Sequence, residues 1–230
     1  SKNVTGSIAN RTFTGKPIEP SVAPLGECKV VGADGKTALT KYTDYQVSYL
    51  NNVNKGTATV VIKGVGVWTG EVKKTLKIEP AAIAEVRPDK TVDIKVKVTN
   101  APDEEAYVMG GVKPQGYLLT YNGVILKEGT DYTVTHRNNT RTALKTDTKA
   151  PCMQIAGKGN YKGSFALTYT IKAADLVKGA ELTAPDVLYK AGKNNCVTKV
   201  VLRDRNGKVL KAGVDYAKEV QYAYRDGSRY

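Results

Sequence analysis

The residues able to do chemistry are few and scattered. The chain holds one histidine, His136, so any catalytic triad or imidazole-bound metal would have to be built on it. His136 stands where a similar earlier stretch has Tyr49, and it reads as a packed strand residue. Cys28, Cys152 and Cys196 have neither CxxC nor framework spacing, and at most one pair could form. Cys152 falls on an outward strand position, but a nucleophilic thiol needs a base beside it, and the sequence sets none there. Asp44, Asp131 and Asp215 each precede a tyrosine at a strand start, where a carboxylate accepts from nearby N–H groups and fixes a turn. Calcium would need a denser set of oxygen ligands. The acidic run Asp103-Glu104-Glu105 reads as a solvated loop. Residues 157–163 (GKGNYKG) have the glycine spacing of a phosphate loop, but such a loop must open a helix. Residues 164–171 read as strand, so the run is a hairpin turn. Trp68 and Tyr161 hold equivalent places in two such turns. An exposed ring there would stack on a sugar, with Lys158 and Lys162 beside it. The competing reading folds each ring over a core as a cap, and it is the favoured one. Trp68, Tyr161, Lys158 and Lys162 are the candidate ligand contacts. No catalytic residue, cofactor or metal site is expected.

Composition narrows the function classes further. The 230 residues are 41% hydrophobic, too apolar for a disordered chain. Fourteen Tyr, 22 Gly and short Val-rich runs favour strands and turns. No apolar run nears the roughly 18 residues of a membrane span, so no insertion is expected within this segment. The opening SKNVTGSIAN has no apolar signal core and reads as a mature or excised segment. A net charge of +13 would suit nucleic acid, acidic glycans or envelope polymers. The excess is spread evenly, however, at +5, +4 and +4 over residues 1–80, 81–173 and 174–230. A nucleic-acid reader concentrates its basic groups on one face, so nucleic acid is not an expected partner.

Self-similarity sets the elements that position these residues. Thr43-Asp44-Tyr45-Gln46-Val47-Ser48-Tyr49 precedes Asn51-Asn52, as Thr130-Asp131-Tyr132-Thr133-Val134-Thr135-His136 precedes Asn138-Asn139, and Val214-Asp215-Tyr216 begins a third such stretch. The glycine-aromatic-glycine turns at 64–70 and 157–163 then lead into Leu76-Lys77-Ile78 and Tyr169-Thr170-Ile171. Two whole modules (residues 1–80 and 81–173) and the start of a third (174–230) result. Their spacing suits an immunoglobulin-sized sandwich, and the third module is expected to continue in a longer chain. Residues 57–63 alternate as a strand with Ala58, Val60 and Ile62 inward. Ile94, Val96 and Val98 alternate likewise. Asp34-Gly35, Asn122-Gly123 and Asn206-Gly207 are hairpin signals, in which both turn positions take positive φ. Residues 80–85 and 173–178 could each form one helical turn at the module joints. The predicted fold is all-β, with tandem immunoglobulin-like β-sandwiches arranged as beads on a rod.

The run Phe13-Thr14-Gly15-Lys16-Pro17-Ile18-x-Pro20, with Asp44-Tyr45-x-Val47-Ser48-Tyr49-x-Asn51-Asn52, Gly56-Thr57-Ala58-Thr59-Val60 and the Gly66-to-Gly70 turn, resembles bacterial immunoglobulin-like repeats of Gram-positive secreted and cell-surface proteins. The first module matches almost end to end. The second matches from about Tyr121 to Ile171, while residues 83–117 depart from the pattern; the third matches only around 206–216. The resemblance implies an extracellular, non-catalytic stalk, spacer or adhesion region. Its partners would be other domains of the same polypeptide, with cell-wall or host glycans as possible contacts. A carbohydrate- or anionic-polymer-binding module beside a glycan-active enzyme is the alternative. Some surface sandwiches crosslink Lys to Asn or Asp in the core, which an intact-mass deficit would reveal.

Overall fold

The computed structural model describes residues 3–175, 180–185, 199–204 and 206–219. It is all-β, and no described residue is helical. In the first repeat, β1 (Val4–Thr5) pairs antiparallel with β3 (Lys29–Val30). β2 (Arg11–Thr12), β4 (Tyr45–Leu50), β5 (Gly56–Gly64) and β6 (Glu71–Glu79) form one sheet in the order β2-β6-β5-β4, with β2 parallel to the end of β6. The two-residue period of β5 buries Ala58, Val60 and Ile62, as expected, and Val61 is buried as well. In β4, Tyr45, Val47 and Tyr49 point inward while the residues between them are exposed.

Next come β7 (Ala81–Ala82), β8 (Ala84–Val86), β9 (Val92–Ile94), β10 (Lys97–Thr99) and β11 (Glu104–Ala106). They are followed by β12 (Leu118–Tyr121), β13 (Val124–Ile125), β14 (Tyr132–Arg137), β15 (Cys152–Gly157), β16 (Tyr161–Lys162), β17 (Ser164–Thr168) and β18 (Thr170–Lys172). β14-β15-β17 and β10-β12-β13 are three-stranded sheets; β11 lies parallel to β18 and β7 parallel to β16. β19 (Ala180–Thr183) and β20 (Val201–Asp204) pair antiparallel. The chain groups into two compact units. One takes the residues up to Ala101 with Gly116–Thr135 and Met153–Leu167; the other takes Pro102–Gln115, His136–Cys152 and the residues from Thr168 on. In the first unit a single apolar core includes Phe13, Tyr45, Leu76, Ala81, Ile83, Tyr132 and Tyr161.

Several local expectations change. Residues 80–85 form no helical turn, because β7 and β8 occupy them, and Ala81 and Ile83 are fully buried. At the second joint, residues 173–175 are not helical, and 176–178 lie outside the described residues. The strand expected through Ile94, Val96 and Val98 breaks at Lys95-Val96. Its alternation fails there because Ile94 is exposed in the β8–β9 hairpin while Val96 is buried. Glu104 and Glu105 are not loop but strand, since their backbone pairs with Thr170 and Ile171. Two of the three acidic groups of this run are met by lysines, with Lys145 on Asp103 and Lys172 on Glu104. Asn122 and Gly123 both take positive φ (47° and 82°), as the hairpin reading requires; at Asp34-Gly35 only Gly35 does. There the Asp34 carboxylate shapes the loop by accepting from the Lys36 and Thr37 N–H groups and the Thr37 hydroxyl. Those bonds hold its carboxyl down at about 2.

The backbone reuses one frame. Val4–Val30, Val98–Leu119 and Leu182–Leu202 are equivalent cross-strand pairs. The N–H groups of Leu39, Leu126 and Leu210 then donate to the carbonyls of Val30, Leu119 and Leu202 at 3.0, 2.9 and 2.8 Å. The departure of residues 83–117 from the pattern is partly one of sequence only. Phe13 N–H donates to Glu79 O and Tyr107 N–H to Lys172 O, both at 2.8 Å. Ile18 N–H donates to Asn52 O and Val112 N–H to Asn139 O, again both at 2.8 Å. Residues 98–114 thus retrace 4–20.

The turn-fixing role of the three aspartates is explicit. Thr40, Lys127 and Lys211 N–H groups donate to Asp44, Asp131 and Asp215 Oδ2 at 2.7, 2.9 and 2.8 Å. One position differs: Gly129 (φ 81°) and Gly213 (φ 78°) correspond to Tyr42, which is held at φ 72° and is 75% exposed. A left-handed non-glycine costs about 1–2 kcal/mol, and glycine's extra chain entropy returns part of that. Tyr42→Gly is therefore expected to stabilise the chain by about 0.5 kcal/mol, read as a rise in the urea midpoint. A fall would show that the Lys41–Tyr42 ring contact (5.0 Å) outweighs the strain.

Candidate functional site

The two glycine-aromatic-glycine turns share their backbone. Gly64 N–H donates to Gly70 O at 3.0 Å and Gly157 N–H to Gly163 O at 2.9 Å; Trp68 N–H and Tyr161 N–H donate to Val65 O and Lys158 O, both at 3.1 Å. Gly66 and Gly159 have φ of 64° and 65°, and Gly70 and Gly163 have 92° and 86°. Their aromatic rings nevertheless have different surroundings.

Tyr161 is buried. Its ring meets Phe13 and Tyr121 edge-on, with centroids 5.5 Å away in each case. β7 runs along its backbone, with Ala81 opposite Tyr161 and Ala82 opposite Lys162. The neighbouring Asn160 side chain accepts from Lys55 N–H at 2.8 Å and donates to Asn54 Oδ1 at 2.9 Å. Tyr161 is a core cap rather than a sugar platform. Lys158 is exposed, and its Nζ donates to the Gly129 carbonyl at 2.6 Å. Lys162 is exposed, and its carbonyl accepts from Ile83 N–H at 2.8 Å.

Trp68 is half-buried and lines a cleft of about 460 Å³. Val4, Val30, Leu39, Ile62 and Val72 give the cleft an apolar floor, and Asn3, Asp44, Thr69 and Glu71 add polar atoms. The Trp68 ring reaches across to Gly32, where an added Cβ would sit 3.4 Å from Cη2. The volume is that of a small-ligand site. The sequence pointed to Trp68 but not to the cleft around it, because β1, β3 and the 30–39 loop supply most of the walls.

No protein-family model matches this chain, and no curated protein matches it.

The remaining candidates stay dispersed. His136 is half-buried on the inward side of β14. Cys28 and Cys152 are free thiols; Cys28 is fully buried, and burial pushes its thiol up, which disfavours the reactive thiolate. Cys196 and its pairing lie outside the described residues. Thr170 is the buried polar residue among those described, so the described core offers no Lys–Asn or Lys–Asp pair for a crosslink.

Several phenols are held above their ordinary range. Burial raises Tyr45, Tyr132 and Tyr161, and pushes Tyr169 up to about 12. Tyr169 Oη also donates to the Val112 carbonyl at 3.0 Å. A phenol whose pKa rises on folding favours the folded state while neutral. Its contribution is complete below the ordinary value of 10.0 and lost as pH climbs through about 12. An ultraviolet titration should therefore show a late-ionising group of tyrosines whose ionisation accompanies alkaline unfolding. Fourteen identical titrations would overturn this.

Proposed function

We propose that this chain is a non-catalytic, extracellular repeat region: tandem immunoglobulin-like β-sandwiches set as beads on a rod. It serves as a stalk, spacer or adhesion segment for other domains of a larger bacterial surface or secreted protein. The observation that best supports this reading is one frame used three times. In each copy an aspartate fixes the turn before a tyrosine (Tyr45, Tyr132 and Tyr216), and a leucine closes back on the preceding strand. Small-angle scattering of the full chain tests the reading. A compact 230-residue globule has a radius of gyration of about 17 Å, and a rod of modules must lie well above it. A value near the compact figure overturns the stalk.

The Trp68 cleft favours a second reading, a glycan contact. Trp68 is the single tryptophan, so its fluorescence reports this cleft alone. Retardation in a polysaccharide gel that is lost in Trp68→Ala would support sugar stacking. Retardation by acidic polymers alone, abolished by salt, would indicate charge instead.

A further inference from the structure

We infer that the Trp68 cleft receives an extended, apolar peptide segment with the chemistry of residues 79–84 (EPAAIA), added as a strand along Trp68 and Thr69. The equivalent turn in this molecule already holds such a segment. Ala81 N–H donates to Asn160 O at 2.9 Å and Ile83 N–H to Lys162 O at 2.8 Å. Ala81 and Ile83 have no exposure, and their core includes Leu119, Leu126, Ile155 and Phe165. The closeness of fit is clearest at Gly163, where an added Cβ would fall 2.0 Å from the Ala84 carbonyl oxygen.

The first turn has the same backbone and the matching apolar floor. By the repeat, Val30, Leu39, Ile62 and Val72 stand for Leu119, Leu126, Ile155 and Phe165. A Cβ on Gly70, the counterpart of Gly163, meets nothing within 4 Å. Among the described residues no strand runs beside Trp68 and Thr69. Val67, in the place of Asn160, is 91% exposed. Main-chain bonding to an exposed edge gives such strand addition its affinity, and pockets for alternate side chains give it specificity. Here the alanines suit the glycine cradle, and the isoleucine suits the cleft. A proline ahead of the paired residues restricts the free peptide and lowers the cost of ordering it.

The inference rests on the repeat frame behind the proposed stalk, not on its elongated shape. The test uses the full chain and a synthetic peptide of residues 78–84 (IEPAAIA), with Trp68 emission as the readout. A saturable shift to shorter wavelength is expected, and it should vanish when the peptide's isoleucine at 83 is replaced (Ile83→Asp). A tethered form removes the question of weak affinity. Residues 78–96 are joined ahead of Asn3, reproducing the spacing between Ile83 and Val98, the counterpart of Val4. Trp68 in that chain should emit further to the blue and resist quenching by iodide. The Ile83→Asp version of the added segment should restore the parent's spectrum. Unchanged Trp68 emission in the tethered chain overturns the inference, as does a shift insensitive to Ile83→Asp. Elongated scattering alongside such a null result would leave the stalk reading standing.

Discussion

Tyr161→Ala should lower the unfolding free energy by about 4 kcal/mol, because truncating a buried aromatic costs about 3–5 kcal/mol. Trp68→Ala, at the equivalent place, should cost about half as much or less, because a half-exposed ring gives up less burial. Trp68 is the larger ring, so size alone predicts the opposite order. The difference comes from surroundings. Tyr161 lies between Phe13 and Tyr121, and each edge-on contact adds about 0.5–1.5 kcal/mol beyond its area. Trp68 covers the side of a cleft. Urea denaturation of both variants decides the matter, and equal losses would contradict the packing of Tyr161.

The matched pair Gly163→Ala and Gly70→Ala isolates the backbone of the joint. Both glycines are left-handed, so both substitutions carry about 1–2 kcal/mol of strain. At Gly70 that is the whole cost, since the new methyl meets no atom within 4 Å. At Gly163 the methyl would overlap the Ala84 carbonyl oxygen and approach the Ala84 nitrogen to 3.1 Å. Backbone cannot swing aside as a side chain does. Relief requires β7 and Ile83 to lift from the core, so Gly163→Ala should cost about 3 kcal/mol or more, among the larger effects of a single substitution. A loss no larger than at Gly70 would mean that residues 81–84 do not lie against β16.

The sequence displays the downstream half of each repeat because its geometry demands particular residues. An aspartate must fix the turn before the Tyr strand, and glycines must take the left-handed positions at 66, 70, 159 and 163. The upstream half of the second repeat was hidden for the opposite reason. Its path is held by main-chain bonds, such as Val112 N–H to Asn139 O, which accept almost any side chain. Phe13-Thr14-Gly15-Lys16-Pro17-Ile18 and Tyr107-Val108-Met109-Gly110-Gly111-Val112 therefore share a course but little composition. Spacing adds to the disguise, since nine residues lie between Pro20 and Val30 and only four between Pro114 and Leu119. In sequence, Pro-Ala-Ala-Ile-Ala at residues 80–84 reads as one helical turn of a short linker. Its strand character is imposed by the partner β16, a long-range effect that local propensity does not carry. The Trp68 cleft belongs to the same class, with its walls drawn from segments far apart in the chain.

The parallel pairing of β2 with the end of β6, repeated by β11 and β18, has a mechanical consequence. Tension applied between β2 and the end of β6 pulls the two strands in opposite directions along their shared axis. The rungs between Arg11-Thr12-Phe13 and Ile78-Glu79 are then loaded in shear, all together, instead of unzipping one at a time. A segment wired in this way resists stretching far better than its modest number of bonds would suggest.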